Sequence, residues 1–332
     1  MVNFTLKDNP ITTADFAFNA IAKQINKISK YEQKILTEDD PENLHQIRVG
    51  MRRLRSVLSV FDTALIIPST VNEQKIGNIA RILGKQRDLD ILKINLECKF
   101  NHESLDQESK IIKKIIQKID KPTSKKFDKN ITDILKNKKY QHLKEDLFSW
   151  LENPQYNSIA SRKIEQILPD LLLPQISTFF LQSGWLIGTE ILDRGDIIIK
   201  QNLLDKDIYL LINQQGFNLH KLRKEAKKTR YQLELFTDFY PEEYQTYLEF
   251  IVKVQEVLGE IQDHLCLHNH LTEVMGNKWQ KKLNNLHDLI VQDKLLKWQE
   301  WQDLQIKFFS GDFCHNLRHI INNISSNNII KG

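Results

Sequence analysis

One segment occurs twice in this chain, and that repetition limits what the chain can fold into. NLHQIRVGMRRLRSVLSVF begins at Asn43 and NLHKLRKEAKKTRYQLELF begins at Asn218, an offset of 175 (218 minus 43). The copies share Asn43/Asn218, Leu44/Leu219, His45/His220, Arg48/Arg223, Arg55/Arg230, Leu58/Leu233 and Phe61/Phe236. Arg52/Lys227 and Arg53/Lys228 keep the charge. A later pair, IARILGKQRDLDIL and VQEVLGEIQDHLCL, has the same offset and shares Leu83/Leu258, Gly84/Gly259, Asp88/Asp263 and Leu92/Leu267. Two matched blocks at one offset point to a duplicated unit. The expected organisation is one domain over 10–325, with repeat one over about 11–168, repeat two over about 169–325, and flexible tails at 1–9 and 326–332.

Between the scarce glycines and prolines, apolar residues recur every three or four positions, as at Phe16, Ala20, Ile21, Ile25 and Ile28. That period predicts an all-α fold of antiparallel helices with short connections. Asp40-Pro41 reads as a helix start, with an N-cap acceptor before a first-turn proline. Asn218 is a candidate cap for the matching helix. Pro68, Pro122, Pro154, Pro169, Pro174 and Pro241 are expected to punctuate further helices. GDIIIKQNLL (195–204) reads as helix or loop, and KIDKPTSKKFDKN (118–130) as a solvated linker. The apolar stretch 171–188 is broken by Pro174, Gln175, Gln182 and Gly184, so a buried helix fits it better than a membrane span. Three scattered cysteines and the lack of a signal-peptide core predict a cytoplasmic chain.

Net charge is only +4, yet the two repeated segments carry +8 (four arginines in one; six bases and two acids in the other). The rest of the chain therefore sums to −4, and the positive charge is local. On a helical wheel Leu44, Ile47, Met51, Leu54, Leu58 and Phe61 form a core face. His45, Arg48, Arg52 and Arg55 form a second stripe, with Arg53 beyond the core side, over a rise of roughly 15 Å. The second copy places Leu219, Leu222, Ala226, Leu233 and Phe236 inward, and His220, Arg223, Lys227 and Arg230 on the stripe, with Lys224 as an extra cation. Like charges at these spacings repel. The first copy holds no acid, so an outside polyanion is expected to neutralise it. Cationic neighbours should depress the histidine pKa in the empty site, and a bound anion should raise it.

Other chemistries have weaker support. No Walker-type loop or G-x-S-x-G elbow is present. Single-strand binders interleave aromatic residues with cations, and here only Tyr231 lies near a stripe. His264 and His268 stand at i,i+4 and are weak metal candidates without an evident third ligand. Asp88 and Asp263, one per repeat, are expected to hold stripe cations in their rotamers rather than to bind catalytic Mg²⁺.

DPENLHQIRVGMRRLRSVLSVF and ILGKQRDLDIL resemble the first-half signatures of the CHAD family, the conserved-histidine α-helical domain. NLHKLRKEAKKTRYQLELF and VLGEIQDHLCL resemble its second-half versions, and YQHLKEDLFSWLENPQY (140–156) resembles the helix before its midpoint. The resemblance implies two pseudo-twofold-related helical bundles enclosing a basic cavity, and inorganic polyphosphate as the ligand. It implies contacts from His45, Arg48, Arg52, Arg53, Arg55 and Arg87, and from His220, Arg223, Lys224, Lys227, Lys228 and Arg230. Gln262 stands where the second half would match Arg87. The role implied is binding rather than catalysis, without a cofactor, in the cytoplasm and with proteins of polyphosphate granules as partners. Neither a membrane nor a nucleic acid is expected.

Overall fold

The computed structural model describes residues 11–35, 37–38, 40–84, 92–94, 96–97, 107–120 and 133–324. These separate into two compact units, one drawn from Met1–Gly84 and Asn130–Leu173, the other from Lys85–Lys129 and Pro174–Gly332. The fold is all-α, with two short antiparallel ladders among the described residues.

In the first unit, helix α1 (Thr13–Ile35) opens on a reciprocal cap. Asp15 N donates to Thr12 Oγ1, and Thr12 N donates to Asp15 Oδ2, each at 3.1 Å. This satisfies donors that a helix start leaves without partners. Helix α2 (Pro41–Val60) begins as its sequence predicts, with Asp40 accepting from the Glu42 N–H at 2.9 Å and proline in the first turn. Ala17, Ile21, Ile25 and Ile28 of α1 are buried, as are Leu44, Ile47, Met51, Leu54 and Leu58 of α2 and Phe61 just beyond it. Helix α3 (Glu73–Ile82) starts on an Asn72 cap and lies beside α2. After α4 (Gln107–Asp120), which belongs to the second unit, helix α5 (Lys138–Glu152) returns to the first. Lys144 of α5 pairs there with the buried Glu32 of α1. Strand β1 (Leu65–Ile66) pairs with β2 (Gln155–Tyr156), and the Trp150 indole donates to the Ile66 carbonyl at 3.0 Å.

Helix α6 (Ile164–Phe180) runs through Pro169 and Pro174, which the sequence places as breaks. Each proline removes one helical hydrogen bond. The carbonyls so freed belong to Glu165 and Asp170, which are half-buried and exposed, so water can reach them. Leu168, Leu172, Ile176 and Phe179 are fully buried and hold the helix together. The apolar stretch thus ends as a buried helix followed by a 3₁₀ turn at Ser183–Leu186. No helix among the described residues is long and apolar enough to cross a membrane.

Residues 195–204 are neither helix nor plain loop at their start. Strand β3 (Thr189–Ile191) pairs with β4 (Ile197–Ile199) across a turn in which Gly195 has φ +84°. Three consecutive β-branched isoleucines favour the extended backbone, and glycine supplies the left-handed position. Helix α7 (Asp205–Leu233) then begins well before the repeated segment, so Asn218 is interior and caps nothing. Its amide instead donates to Gln215 Oε1 at 2.9 Å.

Helix α8 (Glu242–Met275) packs along α7, and a short α9 (Trp279–Lys282) leads into α10 (Asn284–Phe309) and α11 (Gly311–Asn322). Leu92, Leu96, Ile112, Ile115 and Ile119 join Leu267, Leu271, Trp279, Leu286 and Ile290 in one apolar cluster. The buried Glu108 carboxylate of α4 accepts from the N–H groups of Asn285 and Leu286 at 3.1 and 3.4 Å. A charge at a helix N-terminus offsets both the unmatched donors and the dipole. Residues 118–120 complete α4, whereas the rest of the expected linker, 121–130, lies outside the described residues, as do the tails.

Candidate functional site

Burial of the α2 core face turns its cationic stripe to the side. His45 is exposed, and Arg48, Arg52, Arg53 and Arg55 are half-buried. The stripe runs along α3 and the residues that follow it. Arg55 Nη2 donates to Glu73 Oε1 at 2.8 Å, and a methyl group added at Gly77 would lie 3.0 Å from Arg55 Cζ. At the other end, one added at Gly84 would lie 3.1 Å from Arg48 Nη2. Arg48 and Arg55 are seven residues apart, and so are Gly77 and Gly84. Two turns of one helix therefore match two turns' length of the other, in opposite directions. Glycine has no side chain, so each guanidinium can lie against the neighbouring backbone.

The second unit repeats the key contact. Leu219, Leu222, Ala226, Leu233 and Phe236 are buried. A methyl group added at Gly259 of α8 would lie 3.1 Å from Arg223 Nε and 3.4 Å from its Nη2. Matched arginines thus rest on matched glycines. Arg223 Nε is also buried without a hydrogen-bond partner. An unmatched buried donor costs about 1–3 kcal/mol, so Arg223 is held at some expense to stability. Lys224 is exposed, and Lys227 and Lys228 are half-buried. Arg230 Nε donates to Glu234 Oε1 at 2.6 Å, and Arg230 Nη1 to Gln255 Oε1 at 3.5 Å.

These pairings correct one expectation. The stripes have acid partners: Arg55 and Arg230, the last cation of each, are tied to carboxylates. Glu73 comes from the next helix and lies outside the repeated segment, so no feature of α2 could reveal it. No ion pair to Arg223 occurs among the described residues. The first unit also adds a cation that the sequence reading missed. Burial, and then the charge of Arg53, lowers the pKa of Lys27, against an opposing effect of Glu42. Lys23 adds to the same field. The signal was available, since Lys23 and Lys27 stand at i,i+4 on α1.

His220 heads the second stripe, and its Nδ1 is buried without a partner. Burial lowers its pKa first, followed by the charges of Lys224 and Arg223. His220 is therefore a neutral imidazole at neutral pH. A polyanion placed beside it would favour imidazolium and raise the pKa, so binding there would take up a proton. Affinity should rise as pH falls through the bound-state pKa, giving severalfold tighter binding near about pH 6 than near about pH 8. Calorimetric titration at both values checks this, and His220→Gln should flatten the profile. A flat profile in the unaltered chain would remove His220 from anion binding.

Arg87 and Asp88 lie outside the described residues. Asp263 is half-buried on α8, four residues after Gly259. The two metal candidates are packed otherwise. His264 Nε2 lies 2.9 Å from Asp293 Oδ2, and the His268 ring meets Trp279 edge-on at 5.5 Å. No group of three or more potential ligands occurs among the described residues.

A family model described as "CHAD domain" matches residues 19–272. Among solved structures, the chain is similar to the CHAD domain from the plant Ricinus communis, at 20% identity and TM-score 0.52, over 97% of each chain. It is also similar to PptA from Streptomyces chartreusis, at 12% identity and TM-score 0.59, covering 90% of this chain and 100% of that one. At these identities the likeness speaks for the fold alone. No curated protein matches the chain.

Proposed function

The chain belongs to the CHAD-domain family, and from that premise we propose that it binds inorganic polyphosphate through the cation stripes of α2 and α7. One observation carries the reading: Arg48 rests on Gly84, and Arg223 on Gly259, within separate units. A glycine seat fixes the guanidinium plane, and a fixed plane suits bidentate contact with phosphate oxygens. Successive cations at one-turn spacing then meet successive phosphates of an extended chain. His45, Arg52 and Arg53 extend the first row, with Lys27 beside them. His220, Lys224, Lys227 and Lys228 extend the second. Arg55 and Arg230, already paired, serve mainly to fix the rows in place. Asp263, and Asp88 by equivalence, would steady neighbouring cations.

The role is binding rather than turnover, with cytoplasmic residence at polyphosphate granules and contact with their proteins. The rows consist of guanidinium, ammonium and imidazole groups, which suit the binding of phosphate oxygens. The test is titration of the full chain with polyphosphates of increasing length at several salt concentrations. The logarithm of affinity should fall linearly with that of salt, because condensed counterions are released. Affinity should also rise with length until the available cations are spanned. Orthophosphate release with Mg²⁺ or Mn²⁺ would instead favour a phosphohydrolase. Preference for RNA at matched charge would favour a nucleic-acid binder.

A further inference from the structure

Beside the second cation row lies a cavity of unlike chemistry. It has a volume of about 430 Å³ and sits between α7 and α8. Its polar lining is Asn213, His220, Gln262, His268 and Asn269, and Phe217 supplies an aromatic face. Gly216 forms part of the floor, where a methyl group would come within 2.7 Å of Leu265 Cδ1. A side chain at this position would have to displace the end of Leu265. No lysine, arginine or carboxylate lines the cavity directly, and the buried Lys294 stands behind Asn213 and donates to its Oδ1 at 3.3 Å. Burial, the larger cause at each, lowers the pKa of both histidines, so the lining is uncharged at neutral pH.

A cavity built only for phosphate would present cations. This one presents a phenyl ring that is 68% exposed and three side-chain amides, two of which already make one hydrogen bond each: Asn213 Oδ1 accepts from Lys294 Nζ and Gln262 Nε2 donates to Cys266 Sγ, both at 3.3 Å. Amides pair donor and acceptor with a purine edge, and a free aromatic face accepts a stacked base. Lys221 Nζ lies 4.6 Å from the Phe217 ring centroid and takes one face, leaving the other for a ligand. His220 belongs to both settings, since it lines the cavity and heads the row that continues through Arg223 and Lys227. A ligand bridging them needs a flat, neutral, hydrogen-bonding head joined to a chain of phosphates.

We propose that the cavity takes the base of a purine nucleoside polyphosphate whose phosphates lie on the α7 cation row. The phosphate half of this inference rests on the polyanion reading above, and the base half rests on the cavity alone. Calorimetric titration of the full chain in metal-free buffer with ATP, tripolyphosphate, long polyphosphate and oligoadenylate tests it. Tripolyphosphate carries more charge than ATP, so charge alone favours tripolyphosphate. ATP should nonetheless bind at least about tenfold more tightly, as one stacked base can supply. Phe217→Ala removes a largely exposed ring and should leave the fold intact while erasing that preference. ATP binding no better than tripolyphosphate would overturn the inference, and long polyphosphate binding normally would leave the polyphosphate reading standing. Failure of long polyphosphate to bind, with ATP still preferred in a Phe217-dependent way, would sink that reading and keep the cavity's assignment. Oligoadenylate outcompeting ATP at equal phosphate concentration would overturn a mononucleotide ligand.

Discussion

Replacing Arg48 and Arg223 together by alanine should weaken polyphosphate binding by about 10²- to 10⁴-fold, at about 1.5–3 kcal/mol for each charge-assisted contact. Each single replacement should cost about 10- to 100-fold on the same scale. Lysine at either position keeps the charge and loses the fork, so it should recover only part of the loss. The single variants also show whether the rows act on one polymer. If both hold the same chain, either variant lowers affinity at unchanged stoichiometry. If each holds its own, a single variant leaves half the sites at full strength. Stability is a poor alternative explanation at Arg223, whose buried Nε has no acceptor. Alanine there removes an unmatched donor, so its melting temperature should stay near that of the unaltered chain. Unchanged affinity in a folded double variant would end the assignment of these arginines.

Much of the layout of the candidate site was legible because the matched segments and the helical period give independent readings of which residues turn inward. The core faces of α2 and of the repeated part of α7 are buried where the period puts them, from Leu44 to Phe61 and from Leu219 to Phe236. The Asp40 cap was equally plain, since capping is decided within three residues. What failed was anything decided by more distant groups. The repeated segment begins at Asn218, but α7 begins at Asp205, because a helix continues through Gly216 once tertiary packing supports it. Pro169 and Pro174 failed as breaks for the same reason. The β4 strand was hidden by its length, three residues being too few to show alternation. Glu73 sits eighteen positions from Arg55, and only the packing of α3 on α2 brings them together. The glycine seats were half visible. Gly84 and Gly259 were found as a matched pair, and so were Arg48 and Arg223, but their contact was not. Two matched pairs at one offset are the trace left by such a contact, because a seat and its occupant must persist together.

Gly84→Leu and Gly259→Leu test the seats without touching a cation. Each side chain would enter the space that the guanidinium occupies, since even its first carbon would lie 3.1 Å from Arg48 Nη2 or Arg223 Nε. The half-buried arginine is the part that can yield, by swinging out toward water. Its charge stays on the protein while its plane is lost. Each substitution should therefore weaken polyphosphate binding by about tenfold, the worth of one of two forked hydrogen bonds at about 1.5 kcal/mol. The salt dependence should change little, because the number of cations is the same. The double variant should lose about a hundredfold if the effects add, as they do for sites with no shared partners. Alanine at the same positions should cost less, because a shift of a few tenths of an ångström relieves its contact. A fall in melting temperature at Gly→Leu with affinity intact would make the glycines packing residues only. A fall in affinity at constant salt slope would instead separate orientation from charge, which replacing the arginines cannot do.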